Sequence, residues 1–144
     1  MNAPRNASFF GMPAPPCAKL LGWRLEDYDE ARGWVRIAFT GRNDFLNPAG
    51  YIQGGILTAM LDDTMGPAVV VKSGGALFTA TISLTVSFLA PAQPGPLFGE
   101  ATVVQLGKTV AFMEGCLLDA ERRMLARASA SARLVPAAPL APPA

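Results

Sequence analysis

The residues best suited to chemistry lie in one stretch, Asn47-Pro-Ala-Gly-Tyr-Ile-Gln-Gly-Gly-Ile-Leu-Thr-Ala-Met-Leu-Asp-Asp-Thr-Met-Gly66. A turn leads into Gly54-Gly55, which opens a helical pattern. A helix that begins on glycines presents bare backbone N–H groups, with the positive end of the macrodipole behind them. Asp62 follows about two turns later. It borders the apolar stripe, where a carboxylate is costly to bury without a partner or a task. An anion-stabilising amide and a base are the two parts needed to cleave an ester or thioester. Asp63 lies about 100° further round the helix. It sits beside Ile56, as Asp62 sits beside Met65, so geometry alone does not choose between the two acids. Taken singly, a Gly pair commonly marks a turn, and Asn47-Pro-Ala-Gly50 has the composition of an ordinary β-turn.

Spacing adds a constraint. At about 1.5 Å per residue, Gly54 and Asp62 are about 12 Å apart along one helix. One thioester carbon cannot touch both. They converge only if a second chain lays its helix antiparallel, so the spacing predicts an obligate dimer with two shared, symmetry-related sites.

Composition narrows the chemistry. The chain contains no histidine, which excludes Ser-His-Asp and Cys-His hydrolases, histidine-built zinc sites and histidine-dependent dehydratases. Acid–base work near neutral pH falls to Asp, Glu, Lys, Tyr or Cys. A net charge of +1 gives no reason to expect a nucleic-acid partner. Cys17 and Cys116 lack metal-ligand spacing, so no metal or other cofactor is expected, and two cysteines in such a chain suggest reduced thiols. Ala68-Val-Val-Val71 is too short to span a membrane and ends at Lys72. Pro13, Pro15 and Pro16 stand where a signal peptide would need an apolar run, so a cytoplasmic location is expected.

The elements that must position these residues form one domain over 16–134, between a loose lead-in at 1–15 and a disordered Pro/Ala tail at 135–144. A helical turn spans Pro16 to Leu21, then strands run through Trp23–Tyr28 and Trp34–Phe39 as a hairpin. Ile56, Leu57, Met60, Leu61 and Met65 recur at helical intervals from Gly54 to about Lys72, with Pro67 predicting a kink or an altered last turn. In the next strand, from Leu77 to Ala90, Ile82, Leu84, Val86 and Phe88 alternate with Thr81, Ser83, Thr85 and Ser87 without a slip. Strands at Leu97–Leu106, Val110–Asp119 and Met124–Arg133 follow, the last alternating Ala126, Ala128, Ala130 and Ala132. This is an α+β arrangement, an antiparallel sheet laid against a single helix.

Asn47-Pro-Ala-Gly50, Gly54-Gly55, Met60-Leu-Asp62 and Gly66 resemble the "N-P-x-G-x-x-H-G-G … [LM]-x-D-x-x-x-G" pattern of hotdog-fold thioesterases. The branch is the phenylacetate-pathway (PaaI-type) one of the 4-hydroxybenzoyl-CoA thioesterase superfamily. Thr81-Ile-Ser-Leu-Thr-Val-Ser-Phe-Leu-Ala-Pro91 is similar to that branch's following strand. The resemblance implies a curved antiparallel sheet wrapped around one long helix, dimerising into a continuous sheet and often a dimer of dimers. It implies an acyl-CoA substrate and hydrolysis to the free acid. It further implies that Gly54 polarises the thioester carbonyl through its N–H and that Asp62 is nucleophile or general base. Asn47 would help hold the carbonyl or water, and Thr81 would support the water or the carboxylate. Gln53 stands where the family has histidine; it keeps a donor and an acceptor but takes no charge. A non-catalytic acyl-CoA-binding protein is therefore the alternative reading. Gly55, Tyr51 and Lys108 are candidate substrate contacts, Lys108 for coenzyme A phosphates. Phe39, Phe45, Leu46 and Tyr51 are candidates for the acyl pocket, with core packing as the default.

Overall fold

The computed structural model describes residues 8–9 and 12–137 of the chain. Within the stretch read as a lead-in, β1 (Ser8–Phe9) pairs with β2 (Met12–Pro13). Helix α1 spans Pro16–Leu21; proline at its start forfeits no helical hydrogen bond, and Gly22 ends it in the left-handed region at φ 69°. Strands β3 (Arg24–Asp29) and β4 (Trp34–Gly41) form the expected hairpin. After a 3-10 turn at Asn43–Phe45 comes the long helix α2, Gly54–Lys72. Four strands follow: β5 (Leu77–Phe88), β6 (Gly95–Leu106), β7 (Val110–Asp119) and β8 (Met124–Pro136).

The sheet runs β3-β4-β6-β7-β8-β5, with every neighbouring pair antiparallel. The last three strands in chain order form a meander, and β5 returns to the far side of β8. Strand β5 is therefore an edge of the sheet. The helix buries Leu57, Met60, Leu61, Met65 and Val69 against Val35, Ile37, Leu97, Met113 and Leu125. Each such side chain contributes about 1.5–3 kcal/mol of burial. The four alanines of β8 are buried on the same inner face, where their size admits neighbours closely.

Two expectations are corrected, the start of the tail and the regularity of β5. Pro67 stands inside α2, whose helix runs through to Lys72. Its missing N–H frees the Asp63 carbonyl one turn earlier, and the Trp23 indole Nε1–H donates to that oxygen at 2.9 Å. The tail begins later than expected, because Val135 and Pro136 pair with Phe78 and Leu77; a proline is tolerated at a strand end, where its N–H is not needed. Residues 138–144 of that tail lie outside the described residues. Strand β5 does slip: its register against β8 shifts between Thr81 and Ser83, a β-bulge. Thr81 opposes buried Ala132 and Leu84 opposes buried Ala130, so both face inward although three positions separate them. The extra residue, Ile82, is 62% exposed.

Candidate active site

The loop before α2 is built by Asn47. Its Oδ1 accepts from the N–H groups of Ala49 at 3.0 Å and Tyr51 at 3.1 Å, and its backbone exchanges bonds with Tyr51 and Gly50. Gly50, at φ 87°, completes the turn. The turn-building role is thus realised, and Nδ2 is the side-chain atom of Asn47 left for a ligand. The loop is tied down by Ile52 N–H to the Ala92 carbonyl and Gln53 N–H to the Phe45 carbonyl, both 2.9 Å.

Gln53 is the N-cap of α2, and its Oε1 accepts from Ile56 N–H at 3.2 Å. That oxygen lies 2.7 Å from where a Cβ on Gly55 would stand, so any larger residue there would displace the Gln53 side chain from this position. With Oε1 committed, Nε2 is the free end of an exposed side chain. Among the described residues, the N–H groups of Gly54 and Gly55 have no hydrogen-bond partner. They form a ready site for a developing negative charge.

Further along α2, the Thr81 hydroxyl donates to Asp62 Oδ1 at 2.8 Å. The resemblance offers Thr81 either the water or the carboxylate, and here it bonds the carboxylate; the bulge in β5 is what turns Thr81 toward the helix. Asp63, about 100° further round the helix, is the more buried acid. Its Oδ2 is buried without a hydrogen-bond partner, and burial, then the charge of Asp62, pushes its carboxyl up to about 7. Burial, then Asp63 and Asp62, also raise the Cys17 thiol.

Not every candidate gathers here. Lys108 sits in the β6–β7 turn, next to Thr109, whose carbonyl accepts from Leu134 near the end of β8. Phe88, which contacts Gly54, pairs with Ala126 at the opposite end of that strand. Phe39 and Phe45 are core residues, whereas Leu46 and Tyr51 are partly exposed beside the loop. Gly54 and Asp62, eight positions apart on a continuous helix, are not brought together within one protomer. In the sequence Phe88 is an alternating strand residue and part of the stretch Thr81–Pro91 that resembles the family's strand, with no site role assigned to it. Its ring tip lies 3.2–3.6 Å from where a Cβ on Gly54 would stand, a contact that no spacing in the sequence announces.

Residues 49–126 match a family model described as the thioesterase superfamily. Among solved structures, the chain is similar to a provisionally named thioesterase, a phenylacetic acid degradation-related protein from Ralstonia eutropha JMP134. That likeness has 35% identity and a TM-score of 0.80, covering 85% of this chain and 92% of that one. PaaI from the phenylacetic acid degradation operon of Escherichia coli shares the fold at 23% identity and TM-score 0.77, over 84% of this chain and 85% of that one. A protein of Saccharolobus solfataricus provisionally named an esterase is 29% identical over 113 residues, 78% of this chain and 79% of its own length. The sheet wrapped on one long helix is the hotdog fold of these relatives.

Proposed function

This chain belongs to the thioesterase superfamily, and from that premise we propose that it hydrolyses acyl-CoA thioesters to the free acid and coenzyme A as a homodimer. One observation carries the reading: the edge strand β5 touches both halves of the site. Its Phe88 packs on Gly54 and its Thr81 bonds Asp62.

Pairing β5 with its copy joins those halves. Counting the bulge at Ile82 as one extra residue, Phe88 opposite the partner's Thr81 sets Ser87 opposite Ser83, Val86 opposite Leu84, and Thr85 on the two-fold axis. Inward residues then meet inward residues throughout. Gly54 of one protomer approaches the partner's Asp62, which resolves the separation of about 12 Å along a single helix. Strand β5 (Leu-Phe-Thr-Ala-Thr-Ile-Ser-Leu-Thr-Val-Ser-Phe) is long and carries neither charge nor proline, so nothing guards it against such pairing.

In this arrangement the thioester carbonyl oxygen accepts from Gly54 N–H, with Gly55 N–H and Gln53 Nε2 beside it. One oxyanion donor of this kind is worth roughly 3–4 kcal/mol. Asn47 Nδ2 holds the carbonyl or the water. The partner's Thr81 occupies Oδ1 of the partner's Asp62, leaving Oδ2 to take a proton from water as its oxygen adds to the carbonyl carbon. Collapse of the adduct breaks the C–S bond, and the thiolate recovers the proton. Direct attack by the carboxylate, through an anhydride, uses the same groups.

A thiol-release assay over aromatic and aliphatic acyl-CoAs tests the proposal. Asp62→Ala is expected to lower turnover by at least about a hundredfold while the dimer stays folded; wild-type-like turnover in that variant sinks the scheme. The non-catalytic alternative is favoured by Gln53 in place of histidine. It predicts that acyl-CoA raises the Tm with no thiol released.

A further inference from the structure

Gly54 has a neighbour that the mechanism above does not use. The Cζ, Cε1 and Cε2 atoms of Phe88 lie 3.2, 3.4 and 3.6 Å from where a Cβ on Gly54 would stand. The ring therefore meets the first residue of α2 tip-first; it is 53% exposed in the single chain, and in the β5–β5 pairing it stands opposite the partner's Thr81. A Cβ position is about 2.5 Å from its own backbone nitrogen. The ring tip is thus within about 6 Å of the Gly54 N–H, close enough for an acyl group whose carbonyl accepts from that N–H to reach the ring.

The two halves of a thioester differ in what they can put there. The coenzyme A arm is polar and must lead to solvent, so the apolar acyl half takes the apolar ring. Glycine at the helix start is what leaves room for the ring tip there.

We propose that Phe88 is a specificity-determining residue that reads the acyl carbon next to the carbonyl, admitting unbranched acyl groups and rejecting branched ones. This rests on the thioesterase reading above. A straight-chain or flat acyl group passes along the ring face, whereas a methyl branch at the first carbon meets it. One methyl-sized misfit in an apolar pocket changes kcat/KM by roughly tenfold or more.

The experiment compares the best straight-chain acyl-CoA of the wild-type protein with its α-methyl counterpart. Wild type is expected to favour the straight chain by about tenfold or more, and Phe88→Ala to bring the ratio within about threefold. Phe88→Leu, which keeps apolar bulk should the alanine variant not fold, is expected to fall between them. Circular dichroism and thermal melting verify the fold of each. A wild-type protein that does not discriminate, or an unchanged ratio in folded variants, overturns the assignment of Phe88 and leaves the thioesterase reading standing. Failure of the wild-type protein to cleave any thioester overturns both.

Discussion

At the scale of single residues, Gln53 and Asp63 make opposite uses of the same helix. Gln53 caps α2 through Oε1 and turns Nε2 outward. Glutamate there keeps the acceptor and adds charge favourable to the helix start, but it removes the outward donor. Gln53→Glu is therefore expected to hold or raise the Tm while kcat falls by about tenfold or more; a cap with no part in catalysis would leave kcat unchanged. Asp63 has a folded pKa raised from 3.8 to about 7, by burial first and by Asp62 second. The folded chain keeps this proton where the unfolded chain has lost it, so ν is larger in the native state and stability falls as pH rises from about 4 to 7. Asp62 and Cys17 are the titratable groups coupled to it. Asp63→Asn is expected to exceed the wild-type Tm at pH 8, with the advantage closing toward pH 4.5, in melts taken across that range.

Among the elements, α2 shows how a sequence defect is repaired by a distant residue. Pro67 cannot donate, and the Trp23 indole takes over its acceptor. Trp23→Phe leaves the Asp63 carbonyl without that donor, at an expected loss of about 1–3 kcal/mol. In a Pro67→Ala background the helix supplies its own N–H, so the same change is expected to cost less. A double-mutant cycle by denaturant unfolding reads the coupling, and additive losses would show that the indole bond does not compensate for the proline. The bulge in β5 is a second local irregularity with a long reach. It sets Thr81 on the face of Leu84, Val86 and Phe88, and so lets one edge strand serve the acid and the amide together.

For the whole molecule, the two sheet edges differ. Strand β3 is short and carries Arg24, Glu26, Asp27 and Asp29, whereas β5 is twice as long and uncharged. Charge blunts the first edge, and the second is left free to pair. Thr85→Lys would set two ammonium groups against each other on the proposed two-fold axis. Light scattering is expected to show the dimer giving way to monomer, with thiol release lost in parallel. A Thr85→Lys protein that remains dimeric and active would remove β5 as the seam.

The helix, the hairpin and the order of the strands were legible because each is governed by a short-range rule: apolar periodicity, a proline start and a glycine stop. Asp62, Gly54 and Thr81 stand in a motif, and helix rise alone is what motivates the proposed dimer. What local rules do not reach is which strand pairs with which and where a register shifts. Only the folded sheet decided that β5 lies on an edge, that a bulge turns Thr81 inward, that Trp23 answers Pro67, and that Phe88 lies on Gly54. Those contacts join residues remote in sequence, and their geometry comes from packing across the sheet, which no periodicity along the chain encodes.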